Sequence, residues 1–136
     1  MRKLTDTLAL NEDVLFLGSV KNTTKLLSIM DVGILSTNME GCPNAVLDYM
    51  SASLPVIATN IAGNIEVLPK QSKDYIFNLG DEVHCSQLVM KLAEDKKLRI
   101  MIGKENRQHY EREFESNLMF EKYEKVLRDN NIIVND

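Results

Sequence analysis

Two short apolar runs with a helix-spaced segment between them constrain this chain more than any other feature. VGILS (residues 32–36) and LPVIAT (54–59) are continuous, partly β-branched and too short for helices, so each reads as a strand buried on both faces. The residues between Pro43 and Ala52 carry helical spacing. Strand, helix and strand with short connections dictate parallel strands joined by right-handed crossovers. VLFL (14–17), closed by Gly18, reads as another buried strand, and NTTKLLSIMD after it reads as a helix opening on Asn and Thr. YIFNL, from Tyr75, is a weaker fourth strand. From Asp81 onward three apolar stripes follow at helical spacing: Val83, Leu88, Val89 and Leu92; then Leu98, Met101, Ile102, Tyr110 and Phe114; then Phe120, Tyr123 and Leu127. Their aromatics and methionines are expected to face a core. The tail DNNIIVND lacks caps or a period and is expected to fray.

At 136 residues the chain can bury one core, so a single domain over 1–136 is expected, with strand and helix alternation to about 80 and helices over 81–129. A formal charge of -4, with basic residues scattered among acids, argues against nucleic acid as a partner. No apolar run approaches the ~20 residues of a membrane span. The basic start MRKLTDTLALNED has no apolar region or cleavage site of a signal peptide, and the expected location is cytoplasmic. Cys42 and Cys85 match neither a disulfide framework nor a Cys-x-x-Cys site. His84 and His109 stand too far apart for a metal centre and read as solvated residues on helix faces.

In such sheets ligands collect at the C-terminal strand ends, where helix N-termini also point. That rule draws attention to residues 39–44, which leave the run 32–36 and enter the helix starting near Pro43. Proline in a first helical turn sacrifices no hydrogen bond, and the amides of Asn44 and Ala45 should then point outward from a positive dipole end. Gly41 leaves room for close approach, and Asn44 adds a polar tip. Glu40 could accept hydrogen bonds from a polyol. Asp48, one turn after Asn44 on the same face, could accept from a vicinal diol. Spacing alone leaves open whether these two acids are ligand groups or surface acids compatible with the helix dipole.

EGCPNAVLDYM followed by LPVIATNIAGNIE resembles the nucleotide-sugar motif of family 4 glycosyltransferases, retaining enzymes of the GT-B fold. VLFLGSV and MDVGILSTNMEG are similar to the family's neighbouring strands and turns, and LRIMIGKENRQHYEREFE to its C-terminal helices, so the resemblance covers about residues 10 to 127 in order. It implies an α/β fold: an incomplete Rossmann-like C-terminal domain of the GT-B type, with about four mainly parallel strands and a helical C-terminus. It also implies binding of a nucleotide-diphosphate sugar for retaining transfer to a hydroxyl acceptor, of hexosyltransferase type, in glycan or cell-surface polysaccharide synthesis. Carried over by position, Glu40 would contact donor sugar hydroxyls and Asp48 the ribose. Gly41, Cys42, Pro43, Asn44 and Ala45 would surround sugar and diphosphate, and Gly18, Ser19 and Val20 would line the base. The family uses no metal, and none is expected.

Three positions depart from the family's pattern. Asp48 stands where Glu is usual, Tyr49 where a small residue follows, and Ser53 where glycine precedes LPV. The resemblance also places the acceptor domain, two strand and helix units, and the Arg and Lys that hold the diphosphate outside this sequence. In the usual strand order 3-2-1-4-5-6 the run 14–17 would be third and 32–36 fourth, with two strands between them. Direct pairing of the two runs is the expected repair. The alternatives are a partner chain supplying the missing part, as in a split enzyme or a non-catalytic interaction module, or self-association through the exposed sheet edge. Peripheral membrane contact belongs only to an intact enzyme. A receiver-like signalling domain is disfavoured because its acidic pocket and partner lysine are not identifiable.

Overall fold

The structure, a computed structural model, describes residues 1–130 and 132. Three short parallel strands form one sheet in the order β1 (Gly33–Leu35), β2 (Val56–Thr59) and β3 (Ile76–Phe77). Helix α3 (Asn44–Ser51) connects the first pair. Helix α4 (Ala62–Val67) and a 3-10 turn (Lys70–Tyr75) connect the second. Helices α1 (Arg2–Thr7) and α2 (Thr23–Leu27) precede the sheet, and α5 (Glu82–Glu94), α6 (Lys96–Glu113) and α7 (Ser116–Asp129) follow it. The result is the α/β class expected from the alternation, with three strands where about four were anticipated.

β2 is buried along its whole length because both faces are covered. Val56 and Ala58 point into a cluster with Val46 and Met50 of α3 and Val67 of α4. Ile57 points the other way, to Phe77, Leu88 and Leu92 under α5 and to Ile102 of α6. This alternation follows from the period-two geometry of a strand, and the continuous apolar run VIA satisfies both sides at once.

Polar residues set the helix boundaries. The Asn22 side chain accepts from the Lys25 amide at 3.0 Å, Asp81 from His84 at 3.0 Å and Asp95 from Leu98 at 2.9 Å, each capping the helix it precedes. α3 ends where Ser53 turns left-handed at φ 61°, a conformation that suits glycine, the residue that the resembled pattern carries there, so the serine sits in a strained backbone. α6 then docks onto this turn. A Cβ at Gly103 would collide with the Ser53 carbonyl, and fully buried Asn106 donates to the Leu54 carbonyl at 2.8 Å while accepting from the Ser72 hydroxyl at 2.5 Å. Arg99 fastens the opposite end by donating to the Leu92 and Ala93 carbonyls and pairing with Asp31 at 3.2 Å.

Several expectations need correction. Residues 14–17 form no strand and do not pair with β1; Leu15 is 80% exposed. A parallel strand needs a ladder partner, and among the described residues no strand lies beside this run. The run instead lies near α1, where the Arg2 guanidinium sits 4.7 Å from the centre of the Phe16 ring. Val83, Met101, Phe120 and Tyr123 are exposed although their spacing suggested core. His109 is half-buried and bonded to the Val67 carbonyl at 3.2 Å, where a solvated side chain was expected. The expectation for the tail falls mostly on residues 131 and 133–136, outside the described residues.

Candidate functional site

β1 delivers the chain to a loop at the C-terminal edge of the sheet, and residues 36–43 bring it back into α3. Pro43 is the residue before the helix, not its first residue, with φ -77° and ψ 84°. These angles lie near the inverse γ-turn minimum, and accordingly the Asn44 amide closes on the Cys42 carbonyl at 3.0 Å. This corrects the expectation of two outward amides. Asn44 spends its N–H inside the turn, and among the described residues Ala45 is left with an amide that has no partner in the chain. The Pro43 carbonyl accepts from Val46 at 2.9 Å and Leu47 at 3.2 Å, so the turn is continuous with the helix.

Two cavities flank the start of α3. One, of about 320 Å³, is lined by Gly18, Val20, Ala45, Asp48 and Tyr49 together with Leu17, Thr23, Leu26 and Leu27. Its walls are mainly apolar, with the Asp48 carboxylate as their charged group. The other, also about 320 Å³, lies between Cys42, Asn44, Leu47 and Asp48 on one side and Tyr110, Glu113, Phe114, Met119 and Lys122 on the other. Asp48 borders both. Glu40 is partly buried and lines neither cavity, and its main chain rests against α4: a Cβ at Gly63 would run into the Glu40 carbonyl. Gly41 and Ser19 are exposed and line neither cavity, and Pro43 is buried under the loop. Gly18 makes the turn that enters the first cavity, at φ 64°. Cys42 and Cys85 are free thiols.

Tyr49 entered the sequence reading only as a departure, yet it forms a wall of the first cavity. Its ring covers Gly33, where a Cβ would collide with it, and its hydroxyl makes a long contact of 3.5 Å with the Ile34 carbonyl on the outer edge of β1. A bulky residue after Asp48 is thus accommodated by a glycine in the facing strand. Burial, and secondarily the Asp48 carboxylate, push the Tyr49 phenol above its ordinary value. Thr37, Thr59 and Asn64, behind the Glu40 loop, carried no signal in spacing or composition.

The profile of the family described as Glycosyl transferases group 1 matches residues 1–95. The chain belongs to this family. As a group 1 glycosyltransferase sequence it is 27% identical over 127 residues to the N-acetyl-alpha-D-glucosaminyl L-malate synthase of Bacillus anthracis, covering 93% of this chain and 33% of that protein. It is 28% identical over 116 residues to the capsular polysaccharide biosynthesis glycosyltransferase CapM of Staphylococcus aureus, covering 85% of this chain and 30% of that protein. A third relative is the UDP-Gal:alpha-D-GlcNAc-diphosphoundecaprenol alpha-1,3-galactosyltransferase of Escherichia coli, 30% identical over 92 residues, covering 68% of this chain and 24% of that protein. The chain therefore spans 24% to 33% of the length of these curated relatives, and its sheet and helices fit part of a Rossmann-like GT-B domain. Among the described residues, no helix is long and apolar enough to cross a membrane.

Proposed function

We propose that this chain carries the nucleotide-sugar site of a family 4, retaining glycosyltransferase that transfers a sugar to a hydroxyl acceptor in glycan or polysaccharide synthesis. The observation that carries the reading is the cavity shared by Gly18, Val20, Ala45 and Asp48. An apolar slot with a carboxylate at its rim suits a nucleoside, whose base prefers apolar walls and whose ribose offers a vicinal diol to an acceptor. Asp48 accepts from that diol. Glu40 accepts from donor sugar hydroxyls, while Gly41, Cys42, Pro43, Asn44 and Ala45 border sugar and diphosphate. Gly18, Ser19 and Val20 border the base.

The leaving diphosphate needs stabilisation where its charge develops. In this reading the dipole of α3 and the partnerless Ala45 amide provide part of it, without a metal. Retention is explained if the donor's own phosphate takes the acceptor proton, which requires no protein base. The name of the Escherichia coli relative includes UDP-Gal, which supports a nucleotide-diphosphate sugar as the donor class. Acceptor binding and the remaining cationic stabilisation are assigned to no residue of this chain. Calorimetric titration with a panel of UDP-, GDP- and ADP-sugars tests the reading. We expect binding at millimolar concentration or tighter, weakened about tenfold by Glu40→Ala, the factor that corresponds to one charge-assisted hydrogen bond. Failure of the wild-type chain to bind any of them would overturn it, and equal binding by Glu40→Ala would remove Glu40 from the site.

A further inference from the structure

Thr59 ends β2 fully buried, and its hydroxyl donates at 2.6 Å to the carbonyl of Thr37, on the segment leading from β1 to Glu40. Behind it Asn64, also fully buried, donates its amide to the Thr59 carbonyl at 2.9 Å and to the Thr59 Oγ1 at 3.2 Å. A threonine hydroxyl has one proton to give. With a lone pair taken by Asn64, that proton is directed to Thr37, so the three residues form a chain with a defined direction.

A second contact reaches the same loop from the same helix. Gly63 lies so close that a Cβ there would strike the Glu40 carbonyl and stand 3.1 Å from the Gly41 carbonyl oxygen. The start of α4 therefore touches the loop at Glu40 and Gly41 and restrains its approach through Thr59. Filling space does not explain the polar choice. The Asn64 Oδ1 and Thr37 Oγ1 atoms are buried without partners among the described residues, a desolvation penalty that an apolar trio of the same volume would avoid.

We propose that Asn64 and Thr59 are positioning residues for the Glu40 loop, fixing where its carboxylate meets the donor sugar. The role of that carboxylate rests on the donor-site reading above; the restraint on the loop does not. Thr59→Val removes the hydroxyl at nearly constant shape, and Thr59→Ser keeps it. In the ligand-free full chain, nitrogen-15 relaxation of the amides at 36–41 should show order parameters falling from about 0.85 towards 0.6 in Thr59→Val and holding in Thr59→Ser. Affinity for UDP-galactose should weaken about tenfold in the first and recover in the second. Gly63→Ala, which leaves Thr59 intact, should displace the Glu40 and Gly41 amide resonances and provides the test if Thr59→Val does not fold. A rigid loop in Thr59→Val, or equal loosening in both Thr59 variants, would overturn the proposal. If the wild-type chain binds no nucleotide sugar while Thr59→Val loosens the loop, the donor reading fails and the restraint stands.

Discussion

The runs VLFL (14–17) and PVIAT (55–59) are built from the same kinds of residue, yet they end in opposite surroundings. In the second, Val56, Ile57 and Ala58 are fully buried between helices on both faces and strands on both edges. In the first, Leu15 is 80% exposed and the backbone joins no sheet. An apolar run becomes a strand when a ladder partner and a covering layer reach it, and β2 has both while the run 14–17 joins no ladder. Up to residue 30 the chain shows two short helices and many exposed apolar side chains; over 32–113 it forms a packed body to which α6 is tied.

The largest effect should expose this contrast. Ile57→Ala removes a side chain from the centre of the body and should destabilise by about 2–5 kcal/mol, whereas Leu15→Ala should fall within about 0.5 kcal/mol. Urea unfolding of both variants checks this. Similar losses would mean that residues 14–17 are buried in solution by something beyond the chain's own packing.

A sharper test lies at the outer edge of the body, where among the described residues β1 has no strand beyond it and Tyr49 covers Gly33. Gly33→Ala drives a methyl into that ring and should destabilise by about 1–3 kcal/mol. Adding Tyr49→Ala should relieve the collision, so that the double variant is less destabilised than the sum of the two single losses. Strict additivity in thermal unfolding would show that the ring can swing away freely.

Much of the body was legible in the sequence, for reasons specific to particular residues. Val32 to Ser36 and Leu54 to Thr59 announced strands because a run buried on both faces has no polar phase. Asp81 marks a helix start because its short acceptor reaches a free amide three residues on, and in the preceding region Asn22 does the same. The loop containing Glu40 stood out because glycine and proline precede a helix. What was hidden depends on partners distant in sequence. The bond between Ser72 and Asn106 spans 34 positions and that between Thr37 and Thr59 spans 22, so no local period contains either. The exposure of residues 14–17 was equally illegible, because it follows from which neighbouring strands are present and not from the run itself.

A smaller change should improve the body. Ser53 holds a left-handed backbone at φ 61° while its amide and that of Leu54 close the end of α3 on Met50 and Tyr49. Ser53→Gly removes the strain and should stabilise by about 1 kcal/mol, read as a higher urea midpoint at unchanged slope. Ser28, which follows α2 in an ordinary right-handed conformation, provides the contrast: Ser28→Gly should bring no gain.

The subtlest distinction between the regions is their response to acid, because both histidines of the chain lie in the body. His109 packs edge-on against Phe114, and its ring nitrogens meet the Val67 carbonyl and the Arg112 guanidinium, each at 3.2 Å. The neutral tautomer with the proton on Nε2 satisfies both contacts: it donates to Val67 and accepts from Arg112. Burial is the main cause that lowers its pKa from the ordinary 6.5, with Arg112 and Lys73 adding to it and the Val67 carbonyl and Glu113 opposing. The unfolded chain therefore binds the proton more readily, and His109 contributes stability above pH 6.5 that is lost as pH falls through the folded-state pKa. His109→Gln, which retains a donor for Val67 but cannot titrate, should lack this component. The stability difference between wild type and variant should shrink as pH is lowered from 7.5 to about 5, while acids elsewhere in the chain cancel in the difference. A constant difference across that range would show that His109 does not titrate differently in the folded chain.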